Sequence, residues 1–182
     1  MIEDRLLILK CKHGSRAAFR RIYEKYESDL RTLAANLLDD KAAVEDIVQD
    51  VFLSLLKVVD KLQLRSSLAG YLKTSVANRA RDYLWKRKRQ QQALAVNDVE
   101  QMISSHDGPV RLVIQSEELQ KLGLAMSQIP YEQREAIVLH LHGQMKFKTI
   151  ARLQNVSIKT AHTRYRAGLD RLRSVINCEV EK

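Results

Sequence analysis

Lys159, His162, Thr163 and Arg166 lie three and four apart, so a helix through them carries two cations, an imidazole and a hydroxyl on one side. Arg and Lys hydrogen-bond guanine acceptors in the major groove, and Thr reaches a base edge or a phosphate. The chemistry these groups offer is recognition of duplex DNA. A second set, Tyr71, Thr74, Asn78, Arg81 and Trp85, repeats that spacing with aromatic, amide and basic groups and leads into Lys86-Arg87-Lys88-Arg89. Rings stack on unpaired bases, amides read base edges and cations hold the backbone, which suits single-stranded or melting DNA. A third set joins Glu45, Asp46, Gln49 and Asp50 to Leu53 and Leu56, which fall among the acids on the helical wheel. Such a face fits a protein partner, with the leucines supplying burial and the acids steering. Each set also has a plainer reading: a solvated basic helix, aromatics packed on a neighbour, leucines covered by another helix.

Catalytic chemistry finds little support. His140 and His142 are two apart and point to different sides of a helix, and no glycine-rich phosphate loop occurs. Cys11 and Cys178 lie at opposite ends without metal-ligand spacing, so neither a disulfide framework nor a zinc site is indicated. The expectation is a binding protein without enzyme activity, cofactor or metal.

The elements that must position these residues are helical throughout. Apolar residues recur with a period near 3.6, strand-like alternation is scarce, and two prolines and six glycines leave long helices unbroken. The spacing predicts a first long helix from Ser15 to Leu38, with Phe19, Ile22, Tyr23, Tyr26, Leu30, Leu33 and Leu37 inward. A second, Lys41 to Val59, buries Val44, Ile47, Val48, Val51, Leu55 and Val58. A third starts after Ser66-Ser67 and turns Leu68, Leu72, Val76, Ala80 and Tyr83 inward. These close a first bundle over residues 1–89. The pattern dissolves over residues 90–115 around SSHDGP, which reads as a flexible linker with a helical turn or two. The second bundle covers residues 116–182, with Pro130 in the first turn of a helix running to Leu141. Inside it, Phe147 to Arg173 reads as a helix-turn-helix. Ile150, Ala151 and Leu153 form the apolar side of its first helix. Asn155 tolerates the left-handed corner, Ser157 caps the second helix, and Ile158, Ala161, Tyr165, Gly168, Leu169 and Leu172 pack inward. The predicted fold is therefore all-α, two small helical bundles.

The 182 residues carry a formal charge of +9 and are 45% hydrophobic, enough for a core and favouring a polyanionic partner. The segment Arg79 to Arg89 concentrates six Lys or Arg against Asp82 alone. No stretch approaches the roughly 18 uninterrupted apolar residues of a membrane span. The start, MIEDRLLILK, lacks a signal peptide's longer apolar run. A cytosolic protein without membrane insertion is expected.

Three segments carry a family resemblance. AVEDIVQDVFLSLL (Ala43 to Leu56), LRSSLAGYLKTSVANRARDYLWKRKR (Leu64 to Arg89) and IPYEQREAIVLHLHGQMKFKTIARLQNVSIKTAHTRYRAGLDRLR (Ile129 to Arg173) resemble, in order, three segments of extracytoplasmic-function bacterial sigma factors. These are the core-polymerase-binding helix, the minus-ten segment and the minus-thirty-five domain. The resemblance implies a transcription initiation factor that binds core RNA polymerase, directs it to promoter DNA and helps to melt it. It places Glu45, Asp46, Gln49, Leu53 and Leu56 against the polymerase clamp. It assigns Arg65, Ser66, Tyr71, Thr74, Asn78, Arg81, Trp85, Lys86 and Arg87 to the minus-ten element, with Gln63 to Ser67 part of a pocket for a flipped base. Lys159, Thr160, His162, Thr163 and Arg166 would enter the major groove of the minus-thirty-five element. An anti-sigma factor joins the candidate partners. The chain departs from the family pattern at Lys148, usually acidic, at Asn155, usually glycine, at Lys159 and His162 in the recognition helix, and at Tyr71, where tryptophan is frequent. The competing reading is a free-standing helix-turn-helix regulator, which leaves the Glu45 to Leu56 face and the second DNA-contacting set without a purpose.

Overall fold

A computed structural model describes residues 2–62, 67–95 and 117–180, and side chains within 2–62, 67–93 and 122–177. Arg65, Ser66 and residues 96–115 of the expected linker lie outside the described residues. Every regular element among those described is helical.

Capping chemistry fixes where the helices of the first bundle begin. Helix α1 covers Ile2–Lys12 and was not anticipated from the sequence; Leu7, Ile8 and Cys11 bury its inner side. Its start lies in a charged stretch, Glu3-Asp4-Arg5, that carries no helix-start signal in the sequence, although Gly14 at φ 78° marks its end. Tertiary contact holds it instead: Lys25 Nζ bridges Glu3 Oε2 at 2.7 Å and buried Asp4 Oδ1 at 2.8 Å. Helix α2, Arg16–Leu37, starts where Ser15 Oγ accepts the Ala18 N–H and stops at extended Leu38. Asp40 caps α3, Lys41–Val58, by accepting from Ala42 and Ala43 N–H. A 3₁₀ turn, Val59–Lys61, follows.

Helix α4 runs from Leu68 to Ala95, and Ser67 Oγ accepts the Gly70 N–H at its start. It continues past the expected end at Arg89, because Gln90-Gln91-Gln92-Ala93-Leu94-Ala95 contains only good helix formers. Tyr83 O–H donates to Asp40 Oδ2 at 2.7 Å, tying α4 to the cap of α3.

The second bundle comprises α5 (Glu117–Ser127), α6 (Tyr131–Leu141), α7 (Phe147–Leu153) and α8 (Ile158–Val180). Pro130 sits one residue before α6 rather than inside its first turn, and its carbonyl accepts from Gln133 and Arg134 N–H. After α6 the chain turns at Gly143, where a Cβ would lie 2.5 Å from Leu139 O. Gln144 then takes φ 55°.

The inward stripes largely match the wheels. Ile22, Tyr26, Leu30, Leu33, Leu37, Val44, Ile47, Val48, Val51, Leu55, Leu68, Leu72, Val76 and Ala80 are buried. Val58 is exposed instead, since the helix gives way to the 3₁₀ turn there, and Phe52 fills the core between the rings of Phe19 and Tyr23. Tyr23 keeps an exposed edge beside Phe52.

One contiguous apolar cluster joins both bundles, with Ala136, Val138 and Leu139 of α6 packed into the same core as α2 and α4. Six consecutive residues of α6, Arg134 to Leu139, are buried. That helix is therefore enclosed on every side rather than amphipathic.

Candidate nucleic-acid interface

The helix-turn-helix forms at the expected residues. Gln154 N–H donates to Ile150 O, Asn155 takes φ 51°, and Val156 N–H closes the corner on Ala151 O at 2.9 Å. Ser157 Oγ accepts the Thr160 N–H at 3.0 Å and lies 2.8 Å from the Thr160 hydroxyl. Thr160 thus completes the cap of α8, and its hydroxyl turns to Ser157. Gly168 is needed where α8 crosses α6, because a Cβ there would meet Ile137 Cδ1 at 2.8 Å. Ala161 is fully buried at the same contact side, and Tyr165, Leu169 and Leu172 are half-buried.

This seating leaves Lys159, His162, Thr163 and Arg166 exposed along one shallow groove, together with Ala167 and Asp170. Ile158, expected inward, is exposed on the groove rim, since it is the first residue of α8 and lies beyond the packed corner. Thr163 Oγ1 donates to Lys159 O at 3.0 Å, leaving its lone pairs and methyl outward. The His162 ring meets Phe147 edge-on at 4.9 Å, and Phe147 stacks on His140 at 4.3 Å. Phe147 therefore orients His162, a role the sequence signals only as an aromatic at the first turn of α7. His140 is absorbed structurally, its Nδ1 2.9 Å from Met145 O.

The face on α4 is only partly as expected. Asn78, Lys86 and Arg87 are exposed, and Trp85 presents 60% of its surface. Tyr71 and Thr74 are half-buried, with Tyr71 packed against the core. The outward Arg81 of the wheel is corrected. Its Nη2 lies 2.6 Å from both carboxylate oxygens of Glu135 on α6, and only 19% of its side chain is accessible. α6 covers this part of α4, which a single-helix wheel cannot register. Arg79 is likewise engaged, donating to Ser54 Oγ at 2.5 Å.

Glu135 is 1% exposed and collects further donors, Gln154 Nε2 at 2.8 Å and Tyr131 O–H at 3.2 Å. Burial, reinforced by the Glu135 charge, pushes the Tyr131 phenol far above its ordinary value, keeping it a neutral donor. Gln154 Oε1 in turn accepts from Arg164 on α8.

On α3 the face expected to meet a partner is largely exposed. Asp46 and Gln49 are exposed, and Glu45 is half-buried 3.6 Å from Arg31. Leu53 and Leu56 present 52% and 42% of their surface, so a large apolar part of each stays uncovered by the described residues. Among the described residues no cluster of His, Cys, Asp or Glu could hold a metal ion, and no helix is long and apolar enough to cross a membrane.

The comparisons with known proteins fall on these same segments. The family description "Sigma-70 region 2" matches residues 22–90, and "Sigma-70, region 4" matches residues 119–172. The ECF RNA polymerase sigma factor SigX of Bacillus subtilis is 24% identical, covering 85% of this chain and 81% of its own. The ECF RNA polymerase sigma-E factor of Escherichia coli is 21% identical over 90% of this chain and 88% of its own. Among solved structures, the sigma factor RpoE of Bartonella quintana, in complex with the anti-sigma factor NepR, superposes with a TM-score of 0.67. It is 24% identical and covers 87% of this chain and 96% of its own.

Proposed function

Because the chain belongs to the sigma-70 family, in its extracytoplasmic-function branch, we propose that it works by binding alone, docking on core RNA polymerase and placing it on promoter DNA. Glu45, Asp46, Gln49, Leu53 and Leu56 form the docking face, where exposed leucines ringed by acids supply burial and orientation. Asn78, Trp85, Lys86 and Arg87 on α4, with Arg65, Ser66, Tyr71 and Thr74, take the melted minus-ten strand, while Arg81, held by Glu135, stands apart from that face. Stacking on the indole and backbone capture by the cations do the work there. Lys159, His162, Thr163 and Arg166 read the upstream duplex, while Thr160 sets the helix end that approaches the phosphates. The working units are residues 1–89 and 116–182, linked by 90–115. Bond-making chemistry belongs to the polymerase, so the chain acts as a non-enzymatic factor, and the cytoplasm is its place of action.

The observation that carries this reading is the exposed α8 groove on a capped helix-turn-helix, in a chain that also exposes Leu53 and Leu56. An anti-sigma factor is a partner by the same reading, as in the RpoE complex. The test is to mix the purified protein with sigma-free bacterial core RNA polymerase, measure co-elution, and assay transcription from a genomic fragment library. Co-elution with new start-site-specific transcripts supports the proposal. Sequence-specific DNA binding without polymerase association would favour the free-standing regulator.

A further inference from the structure

Helix α1 is apolar on two opposite sides. Leu7, Ile8 and Cys11 are buried against the bundle, while Ile2, Leu6 and Leu9, four and three apart, form a second stripe on the reverse side. These three present 87%, 50% and 52% of their surface. Because α1 packs on α2 and on the 3₁₀ turn after α3, the outer stripe stands as a convex ridge rather than a groove. Charge is sorted across the same helix. Glu3 and Asp4, its only acids, both accept from Lys25 Nζ of α2, and Asp4 is buried. Exposed Arg5 and half-buried Lys12 flank the stripe on one side and exposed Lys10 on the other, none of them in an ion pair among the described residues. We propose that this ridge seats on an anionic lipid bilayer, with Ile2, Leu6 and Leu9 between the headgroups and Arg5, Lys10 and Lys12 at the level of the phosphates.

Apolar side chains turned outward between cations are the layout of an interfacial anchor. The leucines enter the acyl boundary, the aliphatic stems of Lys and Arg lie along it, and their charged ends reach the phosphates. Holding both acids on Lys25 removes from the outer side of α1 the only groups that an anionic surface repels. The stripe runs about 10 Å along the helix axis. It is too small to hold a second copy of the chain by itself, since a stable protein interface buries roughly 1,000 Å² or more. A partner helix with acidic flanks would have to match the spacing of the three residues, whereas a fluid bilayer accepts a convex ridge of any spacing. The formal charge of +9 draws the whole chain toward the same surface. Charge alone gives adsorption in any orientation; the leucines fix which side meets the lipid. With three partly exposed side chains as its apolar hold, the association is reversible and weakened by salt. No residue of the α3, α4 or α8 sets takes part, so the ridge is a site of its own.

The test sediments the full chain with vesicles of phosphatidylglycerol and phosphatidylethanolamine, and with vesicles of phosphatidylcholine alone. Wild type should pellet with the anionic vesicles only. Leu6→Ser with Leu9→Ser keeps the charge and should weaken partitioning roughly tenfold or more. Arg5→Gln with Lys10→Gln should weaken it to a similar degree. Arg171→Gln with Arg173→Gln removes the same charge from exposed positions of α8 and should change it less than about threefold. Circular dichroism and urea midpoints check that each variant keeps its helices. Insertion is read directly by Leu6→Trp in a Trp85→Phe chain, which leaves one indole in the molecule, on the ridge. Its emission should move to shorter wavelength on anionic vesicles and stay unchanged on phosphatidylcholine. Wild type that does not pellet, or a leucine pair that pellets equally well, would overturn the proposal. Equal losses from the α1 and α8 charge pairs would show adsorption by net charge and overturn it too. Without vesicle binding, wild-type dimers in light scattering that the leucine pair abolishes, or polymerase co-elution that it weakens, would assign the ridge to a protein instead.

Discussion

Arg166 projects from α8 beside Thr163 and has no ion partner among the described residues. If it reads a base edge, Arg166→Ala should cost about 1–3 kcal/mol on the preferred duplex and far less on unrelated ones. Fluorescence anisotropy across a sequence panel checks this, and a uniform loss on every duplex would mark a phosphate contact instead. Another single-residue test lies at the Tyr83–Asp40 hydrogen bond. The bond from Tyr83 and the backbone donors at Ala43 and Ala42 hold the Asp40 carboxyl below its ordinary 3.8, against a smaller opposing effect of burial. The bond to Asp40, with burial, raises the Tyr83 phenol above 10.0. A lowered acid pKa stabilises the fold above the unfolded value and is lost as pH falls through the folded one; a raised phenol pKa stabilises below 10.0 and is lost as pH rises. Tyr83→Phe should therefore cost about 1–2 kcal/mol between roughly pH 5 and 9, with the difference from wild type shrinking outside that window. Urea midpoints across pH measure it, and a difference that stays constant below pH 4 would show that the charge of Asp40 contributes nothing.

At the scale of the element, α3 and α8 separate stability from binding. Leu53 and Leu56 are exposed, so Leu53→Ala with Asp46→Ala should leave the thermal midpoint nearly unchanged, within about 0.5 kcal/mol per site. The same pair should weaken co-elution with core polymerase; a large stability loss without a change in co-elution would argue for a packing role. Gly168 is the opposite case, since any Cβ there pushes Ile137 and the Gln133 backbone. Gly168→Ala should destabilise by about 1–3 kcal/mol through overpacking between α6 and α8. Elements announced by caps and by a one-sided stripe were legible in the sequence: Ser15 starts α2, Asp40 starts α3, Ser157 starts α8, and Asn155 marks the corner. Two elements escaped. α1 starts in a charged stretch without a helix-start signal, and its buried Asp4 makes sense only beside Lys25 of α2. α4 overran Arg89 because no breaker follows it before Ala95.

At the scale of the whole molecule, the sequence carries little sign of how the bundles meet. Arg81 and Glu135 are 54 positions apart, and each looks like an ordinary surface charge on its own helix. The only local trace is α6, whose Arg134-Glu135 pair adjoins an unbroken apolar run and is buried with it. That burial makes the pair a sensitive point. Glu135→Ala strands a guanidinium in a site that is four-fifths enclosed and strips Gln154 and Tyr131 of an acceptor. The cost should fall near the low end of roughly 3–5 kcal/mol, because Arg81 keeps some contact with water. Replacing both partners, Arg81→Met with Glu135→Leu, removes the stranded charge and should cost much less than Glu135→Ala alone. Since one apolar cluster runs through both bundles, the wild-type chain should unfold by calorimetry in a single transition. Glu135→Ala is expected to split it into two, as α6 loosens from α2 and α4, whereas the Met and Leu double variant keeps one. Two transitions already present in the wild-type chain would mean that the shared cluster does not couple the bundles.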